Sequence, residues 1–195
     1  MDLKITNITD IEKYQKTERS IYNLDEFSSN FVTFPKQVFK KQFDKYFFLK
    51  ENDWFHSNDE YGKLISFVKS IGSKSLIASC PPYFLLNAIE ISIETSFDDY
   101  IDNHTYSNVE ESAIKGVGLR KSHECFFYDG EEKWAMLSDF SHNTVIVGLD
   151  EITIKPFEDN FSGLYSDIEE FIKSQEVFQG NKIDSRKSIV ERYSK

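Results

Sequence analysis

The sequence predicts one α+β domain over residues 1–195, an antiparallel sheet with a central three-stranded meander and helices packed on one side. Three observations lead there. Residues 123–149 hold three runs rich in aromatic and β-branched residues: Cys125 to Tyr128, Lys133 to Ser138 and Thr144 to Val147. Asp129-Gly130 and Ser141-His142-Asn143 separate them, residue types that tolerate the left-handed backbone of a hairpin turn. Apolar residues at helical spacing lie toward both ends of the chain, and no repeat, low-complexity tract or linker divides it.

Within the meander, Trp134, Met136, Val145 and Val147 recur at the period of two that a pleated strand imposes, so they form one apolar face. Upstream, residues 1–30 support two readings: an edge strand around Leu3 and Ile5, and a weak helix face of Ile11, Tyr14 and Glu18. A first clear helix is predicted from about Pro35 to Phe48. Pro35 suits a first helical turn, and Val38, Phe39, Gln42, Phe43, Tyr46 and Phe47 follow the spacing of one buried stripe, with Lys36, Lys40, Lys41 and Lys45 largely off it. A second helix, capped by Asn58, runs through Leu64, Ile65, Phe67, Val68 and Ile71 to Gly72 and should pack antiparallel to the first.

Ser75 to Cys80, broken by Pro81-Pro82, reads as an edge strand or the entry to a turn. Tyr83 to Thr95 is a strand in which Ile89, Ile91 and Ile93 alternate with Glu90, Ser92 and Glu94, leaving one wet, acidic face. Thr95 or Ser96 caps a short helix through Asp98, Asp99, Tyr100 and Ile101, followed by a polar loop to Ser112 and a bend at Lys115 to Gly118. Ile152 and Ile154 read as a final strand before Pro156. Helices at about Leu164 to Phe178 and Ser185 to Tyr193 then close the chain.

Composition bounds the function. With 18 Phe, 10 Tyr and 2 Trp, aromatic packing should dominate the interior, since each ring buries roughly 150–250 Å². Two cysteines, Cys80 and Cys125, make no disulfide framework and fit a reducing cytoplasm. The first 16 residues lack a signal-peptide core, and no segment approaches the roughly 20 apolar residues of a membrane span. The net charge of −10 argues against direct nucleic-acid binding. That charge is uneven. Leu85 to Ala113 holds Glu90, Glu94, Asp98, Asp99, Asp102, Glu110 and Glu111 with no Lys or Arg, whereas Lys36 to Lys50 holds five lysines, so acidic and basic faces are expected.

No constellation announces chemistry. Asp98, Asp99, Asp102 and His104 come nearest to a hard-metal cluster, but their spacing matches no calcium loop. His123 and Cys125 supply only two zinc donors on one strand face, Cys80 lies in no cysteine-hydrolase signature, and Gly116-Val117-Gly118 lacks a dinucleotide loop's third glycine. Glu90 and Glu94 share a strand face about 13 Å apart by strand rise. Glycoside cleavage uses carboxylates at most roughly 9.5 Å apart. No metal or cofactor is therefore expected.

The expectation is a cytoplasmic, non-enzymatic protein that meets a basic protein partner, as an immunity protein or inhibitor does when it neutralises a basic toxin, nuclease or other effector. Glu90, Glu94, Asp98, Asp99 and Asp102 would form the binding surface, with Tyr128 or Trp134 as aromatic anchors if exposed. Two other expectations stand beside it. One is an enzyme or small-ligand protein with a pocket assembled from distant residues such as Cys80, His123 and Asp139. The other is a self-associating assembly protein.

Overall fold

The computed structural model describes residues 5–7, 11–24, 37–49, 57–79, 88–100, 124–139, 144–166 and 193. Their strands are β1 (Ile5–Asn7), β2 (Lys45–Leu49), β3 (Ser75–Ser79), β4 (Ile89–Ser92), β5 (Glu124–Tyr128), β6 (Trp134–Asp139), β7 (Thr144–Leu149) and β8 (Tyr165–Ser166). They form one sheet in the order β1-β4-β3-β5-β6-β7-β2-β8, and every pairing among them is antiparallel. Three helices accompany it: α1 (Ile11–Ile21), α2 (Asn58–Ser70) and α3 (Glu151–Asn160), with a helical turn at 97–100.

The predicted meander is the middle of this sheet, with Phe127 opposite Met136 and Met136 opposite Val147. Its first turn uses different residues from those expected. Gly130 is not in the left-handed region; Glu132 takes that conformation at φ 60°, while Asp129 Oδ1 accepts from the Lys133 amide at 2.7 Å and organises the turn. The second turn, 140–143, lies outside the described residues.

Strand alternation sorts the core into two layers. On one side Phe47, Leu49, Phe127, Trp134, Met136, Val145 and Val147 pack under α2 and α3, whose Phe67 meets Trp134 edge-on and whose Phe157 stacks on Phe47, with Phe161, just past α3, stacked on Phe157. Burying each such aromatic is worth about 1.5–3 kcal/mol. On the other side Phe48, Phe126, Tyr128, Leu137 and Ile146 are covered by α1, by residues 38–43 and by Tyr193. The opposite face is thus covered as well.

Helix α2 follows its sequence signals closely. Gly72 at φ +77° ends it, and the cap is Ser57, whose Oγ accepts from the Glu60 amide at 3.2 Å; Asn58 is the first helical residue. The helix expected from Pro35 to Phe48 is not there: residues 37–44 are irregular and Lys45–Leu49 is β2. The apparent stripe is divided, because Phe39 and Phe43 lie in the α1-side layer and Phe47 in the other. Without that helix, its expected antiparallel packing with α2 falls too.

Ser75–Ser79 is an interior strand between β4 and β5, not an edge. Ile152 and Ile154 belong to α3, not a strand. Pro156 sits inside α3, where its missing N–H leaves only the carbonyl of Ile152, a residue 67% exposed to water. Tyr165 is in β8, not in a helix start; residues 167–192 lie outside the description, and Tyr193 is buried on the α1 side. Both readings of the N-terminus hold in sequence order, as edge strand β1 and then α1.

Candidate functional site

The acidic residues named by the sequence fall into two places. After β4 the chain runs back along α2: Ile93 N–H donates to Lys74 O at 3.0 Å, Tyr61 O–H donates to Thr95 O at 3.0 Å, and Tyr100 stacks on Tyr61 with centroids 4.5 Å apart. Ser96 fixes the helical turn, its Oγ accepting from the Asp99 amide at 3.1 Å. Glu94, Asp98 and Asp99 are thereby carried, exposed, along the flank of α2 that bears Tyr61.

One lysine on α2 answers that flank: Lys69 approaches Glu94 at 3.8 Å with both side chains well exposed, a geometry worth about 0–1 kcal/mol. Lys63 pairs with Asp59 on the side of the helix that faces Asn160. Asp98 has no ion-pair partner among the described residues. The negative charge also pushes the Tyr61 hydroxyl above its ordinary range, burial being the larger cause and Asp99 a lesser one.

Glu90 is not part of this flank. It pairs in register with Ile77, which packs on the α1 side, while Ile89, Ile91 and Ile93 turn toward α2, so Glu90 projects from the opposite face of the sheet and accepts from Ser75. Asp102 and His104 lie outside the described residues. Tyr128 and Trp134 cannot be anchors: both are fully buried, Trp134 against Phe67 at 5.3 Å and Tyr128 beside Tyr22. A mid-strand position in a sheet covered on both faces leaves them no route to a partner.

The lysine-rich run does not make a separate basic face; it meets acidic residues at the start of α3 and within it. Lys41 pairs with Asp150 at 2.8 Å and Lys45 with Glu158 at 2.9 Å, while Asp44 Oδ2 accepts from the Glu151 amide at 2.8 Å and caps α3 from a neighbouring segment. Asp150, the residue at the cap position, makes no side-chain capping bond. These charges are consumed inside the fold.

One acidic residue that carries real electrostatic cost has no sequence signal. Glu18 is 5% exposed on α1, faces the sheet, and accepts from the hydroxyls of Ser79 and Tyr14. Burial raises its pKa, the two hydrogen bonds opposing. Nearby, the Tyr128 hydroxyl is buried without a hydrogen-bond partner among the described residues and is pushed far above the ordinary tyrosine range, by burial first and then by Glu18. Spacing alone marks Glu18 only as a helix-face member.

Of the pocket expected from distant residues, Cys80 and His123 lie outside the described residues and Asp139 ends β6. Among the described residues no group of three His, Cys, Asp or Glu side chains is placed to hold a metal ion, and no helix is long and apolar enough to cross a membrane. The fold and this flank define a mixed α+β domain on an antiparallel sheet that has eight strands among the described residues. The chain matches no family model, no curated protein and no solved structure.

Proposed function

We propose that this chain is a non-enzymatic binding protein whose flank of α2 and residues 94–99 receives a basic protein, and that the partner is a toxin or effector which it neutralises in the cytoplasm, as an immunity protein or inhibitor does. The observation that carries the reading is the return of the chain along α2, which carries Glu94, Asp98 and Asp99 exposed on one short segment while Asp150 and Glu158 are spent on Lys41 and Lys45. Exposed carboxylates of this kind accelerate encounter with a positive surface and select against partners that carry phosphate.

The proposal narrows the expected surface: Glu90, Tyr128 and Trp134 leave it, and Glu94, Asp98 and Asp99 remain. The test is co-expression with the product of the adjacent upstream reading frame, followed by affinity capture at low and high salt. A basic partner whose growth inhibition is relieved and whose capture weakens steeply with salt is the expected result. Association indifferent to salt, or a partner of acidic charge, contradicts the reading.

A further inference from the structure

A second charged feature lies on the other side of the sheet. The outer face of α1 and the start of the segment that covers the sheet enclose an open cleft of about 430 Å³, lined by Glu12, Gln15, Lys16, Arg19, Ser20 and Lys40. That volume is within the 300–1,000 Å³ or so of small-ligand sites. Its walls are tied together: Lys40 and Lys41 N–H both donate to Ile21 O, at 2.8 and 3.1 Å, and Asn23 N–H donates to Val38 O at 3.0 Å. These bonds close the carbonyl end of α1 with main-chain donors, so the Lys40 side chain is not needed there.

In this acid-rich chain cations generally find carboxylates. Lys41, Lys45, Lys63, Lys69, Lys133 and Lys155 all do. Lys16, Arg19 and Lys40 are exposed, have no ion-pair partner among the described residues, and converge on one cleft, opposed by Glu12 in its lining and by the Glu132 carboxylate that accepts from Ser20 at 2.8 Å. Gathering like charges costs free energy that a bound anion returns. Lys41, next in sequence, turns away to Asp150 and to the carbonyl of Glu132.

We propose that this cleft is a binding site for a small phosphate monoester whose organic part carries hydroxyl groups. The Arg19 guanidinium offers the planar fork that matches two phosphate oxygens, with Lys16 and Lys40 as point charges beside it. Glu12, at the other end of α1's exposed face, accepts from a ligand hydroxyl and repels a second anionic group. The site is independent of the proposed protein interface, from which the sheet separates it.

Calorimetric titration of the full chain at low ionic strength tests this with inorganic phosphate and with glycerol phosphate, sodium chloride serving as the ionic-strength control. Saturable one-to-one binding is expected for both, tighter for glycerol phosphate. Binding should weaken roughly tenfold or more in the double variant Arg19→Gln, Lys40→Gln, in keeping with the loss of charge-assisted bonds, while Lys155→Gln, on α3, binds as the parent does. All the substituted side chains are exposed, and an unchanged melting temperature confirms that each variant folds. Heats that do not saturate, that chloride reproduces, or that persist in the double variant overturn the site. Glycerol phosphate binding no tighter than phosphate overturns the assignment of a hydroxyl-bearing ligand.

Discussion

The two faces of the sheet are covered by different means. On one, amphipathic helices α2 and α3 lay Phe67 on Trp134 and Phe157 on Phe47. On the other, α1 shares the work with an irregular stretch whose Phe39 and Phe43 lie over the sheet, and it buries a carboxyl, Glu18. Regular helices bring apolar stripes that satisfy their own backbone, so they ask little of the sheet. An irregular cover must find backbone partners one by one, which explains Tyr193 O–H as acceptor for the Val38 amide at 2.8 Å, while the buried Tyr22 O–H is satisfied by the carbonyls of Phe127 and Met136 in the sheet.

The largest expected effect lies on the helical face. Trp134→Ala should lower stability by about 3–5 kcal/mol in urea unfolding, because its cavity opens beneath Phe67 in a layer with little freedom to collapse. A loss under about 1 kcal/mol, the scale of an ordinary substitution, would mean that this face does not centre on Trp134. On the other face the sharper probe is Gly148→Ala. A Cβ there overlaps the Phe43 ring, and displacing it should cost about 1–3 kcal/mol, recovered in part by Phe43→Leu in the same chain. Additive rather than compensating effects would separate Phe43 from Gly148.

These differences set what could be read beforehand. Helix α2 was legible because Leu64, Ile65, Phe67 and Val68 keep one period from a polar cap to a terminal glycine, and the meander because its strands alternate cleanly. Residues 35–48 misled because Phe39, Phe43 and Phe47 recur every four positions while serving opposite layers, a coincidence no single-chain periodicity exposes. Ile152 and Ile154 misled because Pro156 suggested a strand end, whereas Asp44, distant in sequence, caps the helix. Of the acidic surface, the residues on one segment, Glu94, Asp98 and Asp99, stay together; Glu90 leaves them because a strand sends neighbours of opposite parity to opposite faces. The pairings of Lys41 with Asp150 and of Lys45 with Glu158 neutralise lysines that composition alone made into a basic face.

Smaller effects sharpen the electrostatic side. Asp44→Ala removes the cap of α3 and should cost about 1 kcal/mol, seen as a shift in the urea midpoint; no shift would show that the Glu151 amide is equally well served by water. Glu18→Gln should act through pH. With the folded carboxyl raised above its ordinary value near 4.5, the folded state holds the proton more tightly, so wild-type stability falls as pH rises from that value through the folded one. Melting temperatures should therefore favour the variant more at about pH 7 than at about pH 4; an advantage independent of pH would show that burial does not tax the ionised form.

The most direct test of the proposed interface is the association rate of the captured basic partner, measured by stopped flow across a salt series. It should be run for Glu90→Lys and for the double variant Asp98→Lys, Asp99→Lys. The double variant should bind roughly tenfold or more slowly at low salt and lose most of its salt dependence, while Glu90→Lys, on the far face of the sheet, stays near the parent rate. Equal slowing by both variants, or by neither, would contradict an interface confined to the α2 flank.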